Sequence, residues 1–188
     1  MPEKPLACET LPRPRRSDGQ YRVCLVCLGN ICRSPMAEVI MRRALADAGL
    51  AEAVAIESAG TGDWHVGEQM FRPAWAELAK RGYDGSRHRG RQIQREWLTG
   101  YDLILAMDRA NLADLLRIAP DRESASRVRL LRSFDPELQP DDLWKAEVPD
   151  PFGGDAAAYQ LTFDLVLAAV NGLTQCLAQF LDVPAPQP

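Results

Sequence analysis

The chain has 188 residues and carries 22 Lys and Arg against 26 Asp and Glu, a net charge of −4. That length suits one domain with a sizeable core, and the acidic balance gives no sign of a nucleic-acid binder. Five cysteines, odd in number and unevenly spaced, do not make a disulfide framework; they point to a reducing compartment, so a cytoplasmic location is expected. Zinc is a poor fit, with only His65 and His88 beside the thiols, and neither metal nor cofactor is expected.

Residues 1–20 hold Pro2, Pro5, Pro12, Pro14 and the run Arg13-Pro14-Arg15-Arg16 without an apolar segment. Such a stretch buries too little apolar surface to order itself, so it is expected to be a disordered extension. Leu6-Ala7-Cys8 and Arg15-Arg16 look like fragments of export signals, but each needs a hydrophobic stretch that is missing. No stretch is expected to reach a membrane-spanning length, and no membrane partner is expected.

From Tyr21 to Leu28 the chain is almost continuously apolar, as a parallel strand covered on both faces should be. Gly29 and Asn30 tolerate positive φ and permit a sharp turn. Ser34 as N-cap and Pro35 at the first helical position predict a helix to about Ala48, stopped by Gly49. A second strand is predicted over Val54–Ser58, ended by Ala59-Gly60-Thr61-Gly62, followed by Trp64 on a glycine-flanked loop. The spacing predicts a helix over Arg72–Arg81, with Trp75, Leu78 and Ala79 on one face. Tyr101–Met107 reads as a third strand with Asp108 at its carboxyl end. There Asp108 can cap a helix over Arg109–Ile118 or reach the loop after the first strand. Arg127–Leu131 alternates like an edge strand, and Ala156–Phe180 reads as a last helix presenting Phe163, Val166, Leu167, Val170 and Leu173 on one side. The Pro-rich end, 183–188, should fray. Strands alternating with helices predict a single α/β domain over 21–182, doubly wound on a four-stranded parallel sheet with helices on both faces.

The turn after the first strand carries the chemistry. Successive amides of a tight loop feeding a helix N-terminus form a cradle for a tetrahedral anion. Cys27 stands in that positive field with Arg33 six residues on, and both favour thiolate over thiol. An arginine fork can grip two phosphate oxygens, so the pair implies attack on phosphorus through a phosphocysteine. The leaving oxygen then needs a proton from a nearby carboxylic acid. Asp150, between Pro149 and Pro151, is held on a stiff loop, although Asp135-Pro136 offers the same turn signal.

Cys27-Leu28-Gly29-Asn30-Ile31-Cys32-Arg33-Ser34-Pro35-Met36-Ala37-Glu38 resembles the signature of the low-molecular-weight protein tyrosine phosphatases, bacterial type. The likeness runs from about Val23 to the last helix and implies the flavodoxin-like strand order 2-1-3-4. It implies Cys27 as nucleophile, Arg33 as phosphate clamp, and Leu28, Gly29, Asn30, Ile31, Cys32 and Ser34 as the phosphate loop. Asn30 would hold the loop's strained conformation and Ser34 would stabilise the departing thiolate. Asp150 matches the family's general acid by its place before the last helix and by Phe152, whereas Asp135 does not. Trp64 and Phe152 would wall the pocket. His88, aligned through Arg91-Gln92-Ile93, would hydrogen-bond the loop asparagine, and Asp108, in Met107-Asp108-Arg109-Ala110-Asn111-Leu112, would support the loop. Partners implied are phosphotyrosine-containing proteins, met by a monomer or weak dimer; some relatives act after export without a classical signal.

Two variants of this chemistry stand beside it. A branch with the same Asp-Pro-Phe-Gly-Gly acid loop hydrolyses phosphoarginine, but it has threonine where this chain has Ile31, and an apolar side chain there suits a phenyl ring. A thiol-dependent arsenate reductase would use Cys27 and Cys32 as a reversible disulfide, yet needs a resolving cysteine on a mobile segment, and Cys176 falls in the last predicted helix.

Overall fold

The computed structural model describes Cys8, residues 10–17 and residues 19–182. Four strands, β1 (Tyr21–Cys27), β2 (Val54–Gly60), β3 (Leu103–Ala106) and β4 (Val128–Leu130), form one parallel sheet in the order β2-β1-β3-β4. The chain leaves β1 towards β2 on one side and then returns to β3 on the other. The reversal opens a crevice beyond the carboxyl ends of β1 and β3, the place where such sheets bind ligands.

Period-two alternation sends neighbouring residues of each strand to opposite cores. Val23, Leu25, Leu103 and Leu105 pack in one apolar cluster, which also holds residues of α1 (Arg33–Asp47), α2 (Arg72–Lys80) and α5 (Ala156–Phe180). Cys24, Val26, Ile104 and Ala106 pack in the other, with Leu98 and with Leu115 of α3 (Arg109–Ile118). Helices therefore cover both faces, as predicted. A short helix, α4 (Arg122–Ser126), precedes β4. Both α3 and α5 have the predicted bounds, and Asp108 caps α3 by accepting from the Asn111 amide at 2.7 Å.

Several expectations differ from the structure. The first helix starts at Arg33, after Cys32, and has no side-chain cap. Ser34 therefore lies inside the first turn rather than at its cap, and its hydroxyl is turned inward, accepting from Asn30 Nδ2. On α2, Ala74, Glu77 and Leu78 form the buried face and Trp75 is exposed, because the helix is short and only one edge meets α1 and α5. By length and composition α5 could span a membrane, at 25 residues with a mean hydropathy of 1.4 in its most apolar window. Its apolar side is spent on the core: Val166, Val170, Leu173 and Leu177 are fully buried, each contributing about 1.5–3 kcal/mol.

The described part of the extension is ordered rather than free. Tyr21 Oη donates to the Pro12 carbonyl at 3.1 Å, Leu11 is buried, and Arg15 reaches Asp102, Glu123, Ser124 and the carbonyls of Tyr101 and Leu98. Cys8 forms a disulfide with Cys176 of α5, their Cα atoms 5.1 Å apart. The arm has little apolar surface of its own, and its described residues are held by hydrogen bonds to the body, the buried Leu11 and the Cys8 disulfide. Residues 1–7 and the tail 183–188 lie outside the described residues.

Candidate active site

At the carboxyl edge of the sheet a cleft of about 160 Å³ is lined by Cys27, Leu28, Gly29, Ile31, Cys32, Arg33, Trp64, His65, Asp150 and Phe152. Cys27 ends β1, and the chain turns at once. Thr61 and Gly62 amides take the carbonyls of Cys27 and Leu28, each at 2.9 Å, fastening the outer side of the loop to the end of β2. Gly60 is required for this approach, because a Cβ there would lie 2.6 Å from the Leu28 carbonyl oxygen. Among the described residues, the amides of Gly29, Ile31 and Cys32 donate to no protein acceptor.

Asn30 is the hub of the loop. It adopts φ +55°, and its side chain holds that left-handed conformation from both ends. Nδ2 donates to Ser34 Oγ and Ser58 Oγ, both at 2.9 Å, while Oδ1 accepts the Arg91 amide at 2.9 Å. His88 Nε2 donates to the Asn30 carbonyl at 2.6 Å, and burial holds the His88 pKa below its usual value. Ser58 in turn donates to Glu38, which Arg42 grips. Ser58 had no distinguishing signal in the sequence, since it reads as an ordinary strand position, and Glu38 closed the loop motif without any sign of its partner.

Cys27 Sγ accepts the Asn30 amide at 3.2 Å and lies 3.0 Å from Ser34 Oγ. The other two free thiols differ from it in surroundings. Cys24 is sealed in the core and its pKa is pushed up to about 12 by burial; Cys32 is pushed up to about 12 by burial and by the Cys27 and Asp150 charges.

Arg33 is 2 % exposed and lies between two acids. Nη1 donates to Asp108 Oδ2 and to the Val148 carbonyl, and Nη2 donates to Asp150 Oδ2 at 2.8 Å. Burial works against the Arg33 charge, but Cys27, Asp108 and Asp150 outweigh it and raise its pKa. Nε is buried and has no protein partner, so one edge of the guanidinium retains an unused donor. Asp108 thus does both things the sequence allowed, capping α3 with Oδ1 and holding Arg33 with Oδ2. Asp135, the rival Asp-Pro acid, is buried and pairs with Arg132 away from the cleft.

Asp150, 42 % exposed, sits on the loop before α5 and accepts the Phe152 amide at 3.2 Å. Phe152 meets Phe71 with tilted rings, centroids 5.0 Å apart, and like Trp64 it is exposed and lines the cleft. Trp64 is 67 % exposed and lies over Gly62, whose missing Cβ makes room for the indole. His65 also lines the cleft. As one of two histidines it was visible to the sequence reading, but nothing marked its direction. Among the described residues, no three of His, Cys, Asp and Glu come together as a metal-ligating group.

Residues 22–182 match the family model described as low molecular weight phosphotyrosine protein phosphatase. A low molecular weight protein-tyrosine-phosphatase of Streptomyces coelicolor is 47 % identical over 153 residues, 81 % of this chain and 91 % of that protein. The low molecular weight protein-tyrosine phosphatase A of Mycobacterium tuberculosis is 44 % identical over 151 residues, 80 % of this chain and 88 % of its own length. The crystal structure of a protein tyrosine phosphatase from Entamoeba histolytica, with Hepes in its active site, superposes with a TM-score of 0.79. That pair shares 28 % identity, over 86 % of this chain and 99 % of the other.

Proposed function

Because this chain belongs to the low molecular weight phosphotyrosine protein phosphatase family, we propose that the cleft hydrolyses phosphotyrosine in proteins by a phosphocysteine route. One observation carries the reading: Cys27, Arg33 and Asp150, spread over more than a hundred residues of chain, line the same cleft. The S. coelicolor and M. tuberculosis relatives carry the same activity in their names.

The phosphoryl group enters against the Gly29, Ile31 and Cys32 amides and takes the Nε–Nη2 edge of Arg33 in a two-point grip. Nη2 must then leave Asp150, so substrate arrival releases the acid from its ion pair and sets a dianion beside it. That favours the protonated carboxyl, the form needed to donate to the phenolate oxygen. Cys27 Sγ forms its bond to phosphorus as the P–O bond breaks, while the amides and Arg33 hold the equatorial oxygens. Asp150, now a carboxylate, takes a proton from water as that water attacks phosphorus. The P–S bond breaks and the sulfur leaves as thiolate. Ser34 has one hydroxyl proton and two acceptors, the Ala59 carbonyl at 3.2 Å and Cys27 Sγ at 3.0 Å. Turning it to sulfur stabilises the thiolate as it departs.

Ile31, Leu28, Trp64 and Phe152 give the cleft apolar walls, which suit a phenyl ring better than a guanidinium. The test is phosphate release from matched peptides carrying phosphotyrosine, phosphoarginine or phosphoserine. Phosphotyrosine should give the highest kcat/KM, and Cys27→Ser should reduce release at least about 10³-fold while orthovanadate still binds. A higher kcat/KM for phosphoarginine would reassign the substrate. Arsenate reduction supported by thioredoxin, without phosphate release, would reassign the reaction.

A further inference from the structure

His65 lines the cleft, and the proposed chemistry does not use it. Its Nδ1 lies 2.8 Å from Glu68 Oε2. A carboxylate can only accept, so Nδ1 carries a proton, and a ring that carries that proton alone presents Nε2 as an acceptor. The Cδ2–Nε2 edge lies against the phosphate loop, for a Cβ on Gly29 would stand 3.0 Å from Cδ2 and 3.8 Å from Nε2. Phe152 is across from it, with ring centroids 6.5 Å apart. Nε2 makes no hydrogen bond to the described residues.

The ring is also held in place from behind. The Glu68 amide donates to the His65 carbonyl at 3.1 Å, and the Gly67 amide and Glu68 carbonyl both pair with Gly90, at 2.7 and 2.8 Å. Gly90 meets the His65 carbonyl so closely that a Cβ would fall 2.3 Å from its oxygen. An acceptor is thus fixed at the mouth of the cleft, beside the place where a phosphotyrosine's main chain must lie once its ring is between Trp64 and Phe152. Glu68 and Asp150 disfavour a carboxylate there, whereas an N–H donor is welcome.

Resting on the phosphotyrosine reading above, we propose that His65, oriented by Glu68, is a specificity-determining residue that accepts a main-chain N–H flanking the phosphotyrosine. The enzyme thereby prefers a peptide over a bare aryl phosphate. Glu68 acts through His65 and is a positioning residue.

The experiment compares a phosphotyrosine peptide with 4-nitrophenyl phosphate in the full chain. His65→Ala should lower the peptide-to-aryl-phosphate ratio of kcat/KM about fivefold, through KM rather than kcat. His65→Gln, which keeps an acceptor, should recover part of the ratio, and Glu68→Ala should lower it by about half as much. Peptides N-methylated at the phosphotyrosine or at the following residue provide the second arm. One of them should show the same loss with the unaltered enzyme and no further loss with His65→Ala. An unchanged ratio, equal losses on both substrates, or losses from methylation and mutation that simply add would each overturn the proposal. Failure of the unaltered chain to release phosphate from either substrate would overturn the functional reading itself, and this inference with it.

Discussion

The two edges of the sheet each bury an arginine between acids, and they use it differently. At the carboxyl edge Arg33 is shared by Asp108, the Val148 carbonyl and Asp150. At the amino edge Arg127 meets Asp102, Glu123 and the carbonyls of Asp102 and Arg13, with Arg15 packed beside it. Each guanidinium has a buried Nε without a protein partner. The difference lies in the acids. Asp102 is 3 % exposed and accepts main-chain amides from Arg15 and Arg22, at 2.6 and 2.7 Å, so it cannot move without unpinning the backbone. Asp150 is half-exposed on a loop and can be released at little cost. The same pair of residue types is a clasp at one edge and an exchangeable site at the other, and what decides is whether the acid can leave.

That contrast predicts effects that separate cleanly. Asp150→Ala should lower kcat for a peptide phosphotyrosine about 10²-fold, with a smaller loss for aryl phosphates whose phenolate leaves without a proton. Its unfolding free energy should stay within about 1 kcal/mol of the original, because an exposed ion pair contributes little. A uniform loss across leaving-group pKa would remove Asp150 from the acid role. Asp102→Ala should do the reverse, costing about 3–5 kcal/mol in urea denaturation by stranding two amides and Arg127, with turnover per folded molecule retained. A large rate loss at full stability would erase the distinction between the edges.

The smallest effect concerns the support of the Asn30 loop. Burial holds the His88 pKa below that of the unfolded chain, so the unfolded state takes up a proton first as pH falls. Its contribution is therefore neutral above the ordinary histidine range and destabilising below it. Thermal denaturation from pH 7.5 to 5 should show a loss of stability on acidification that is reduced in His88→Gln. A pH profile identical in the two would show that His88 is not charged at the loop's expense.

The loop that holds Cys27 and Arg33 was legible in the sequence because its requirements are local. A buried strand, a residue tolerant of positive φ, a thiol and an arginine six positions on all fall within one turn of chain. Asp150 was legible only through its Asp-Pro-Phe setting and the family likeness, since Asp135-Pro136 carries the same local signal and is buried elsewhere. The order of the strands was likewise beyond spacing, because alternation of strand and helix is common to many windings. The N-terminal arm was misread for a related reason: its anchors, Asp102, Glu123 and Cys176, lie 87 or more residues away, and polar anchoring leaves no periodic trace.

What the sequence by itself determined, then, was the fold class, the strand and helix spans to within a few residues, and the placing of Cys27 and Arg33 on one tight loop, all set by short-range patterning. Tertiary structure alone decided that Ser34 turns inward instead of capping, that Ser58 and Glu38 extend the Asn30 network, and that His65 faces the cleft. It also decided which arginine can exchange its acid. Those outcomes depend on which distant backbone comes within a few ångströms, and hydrogen bonds between distant segments are formed by packing rather than by spacing.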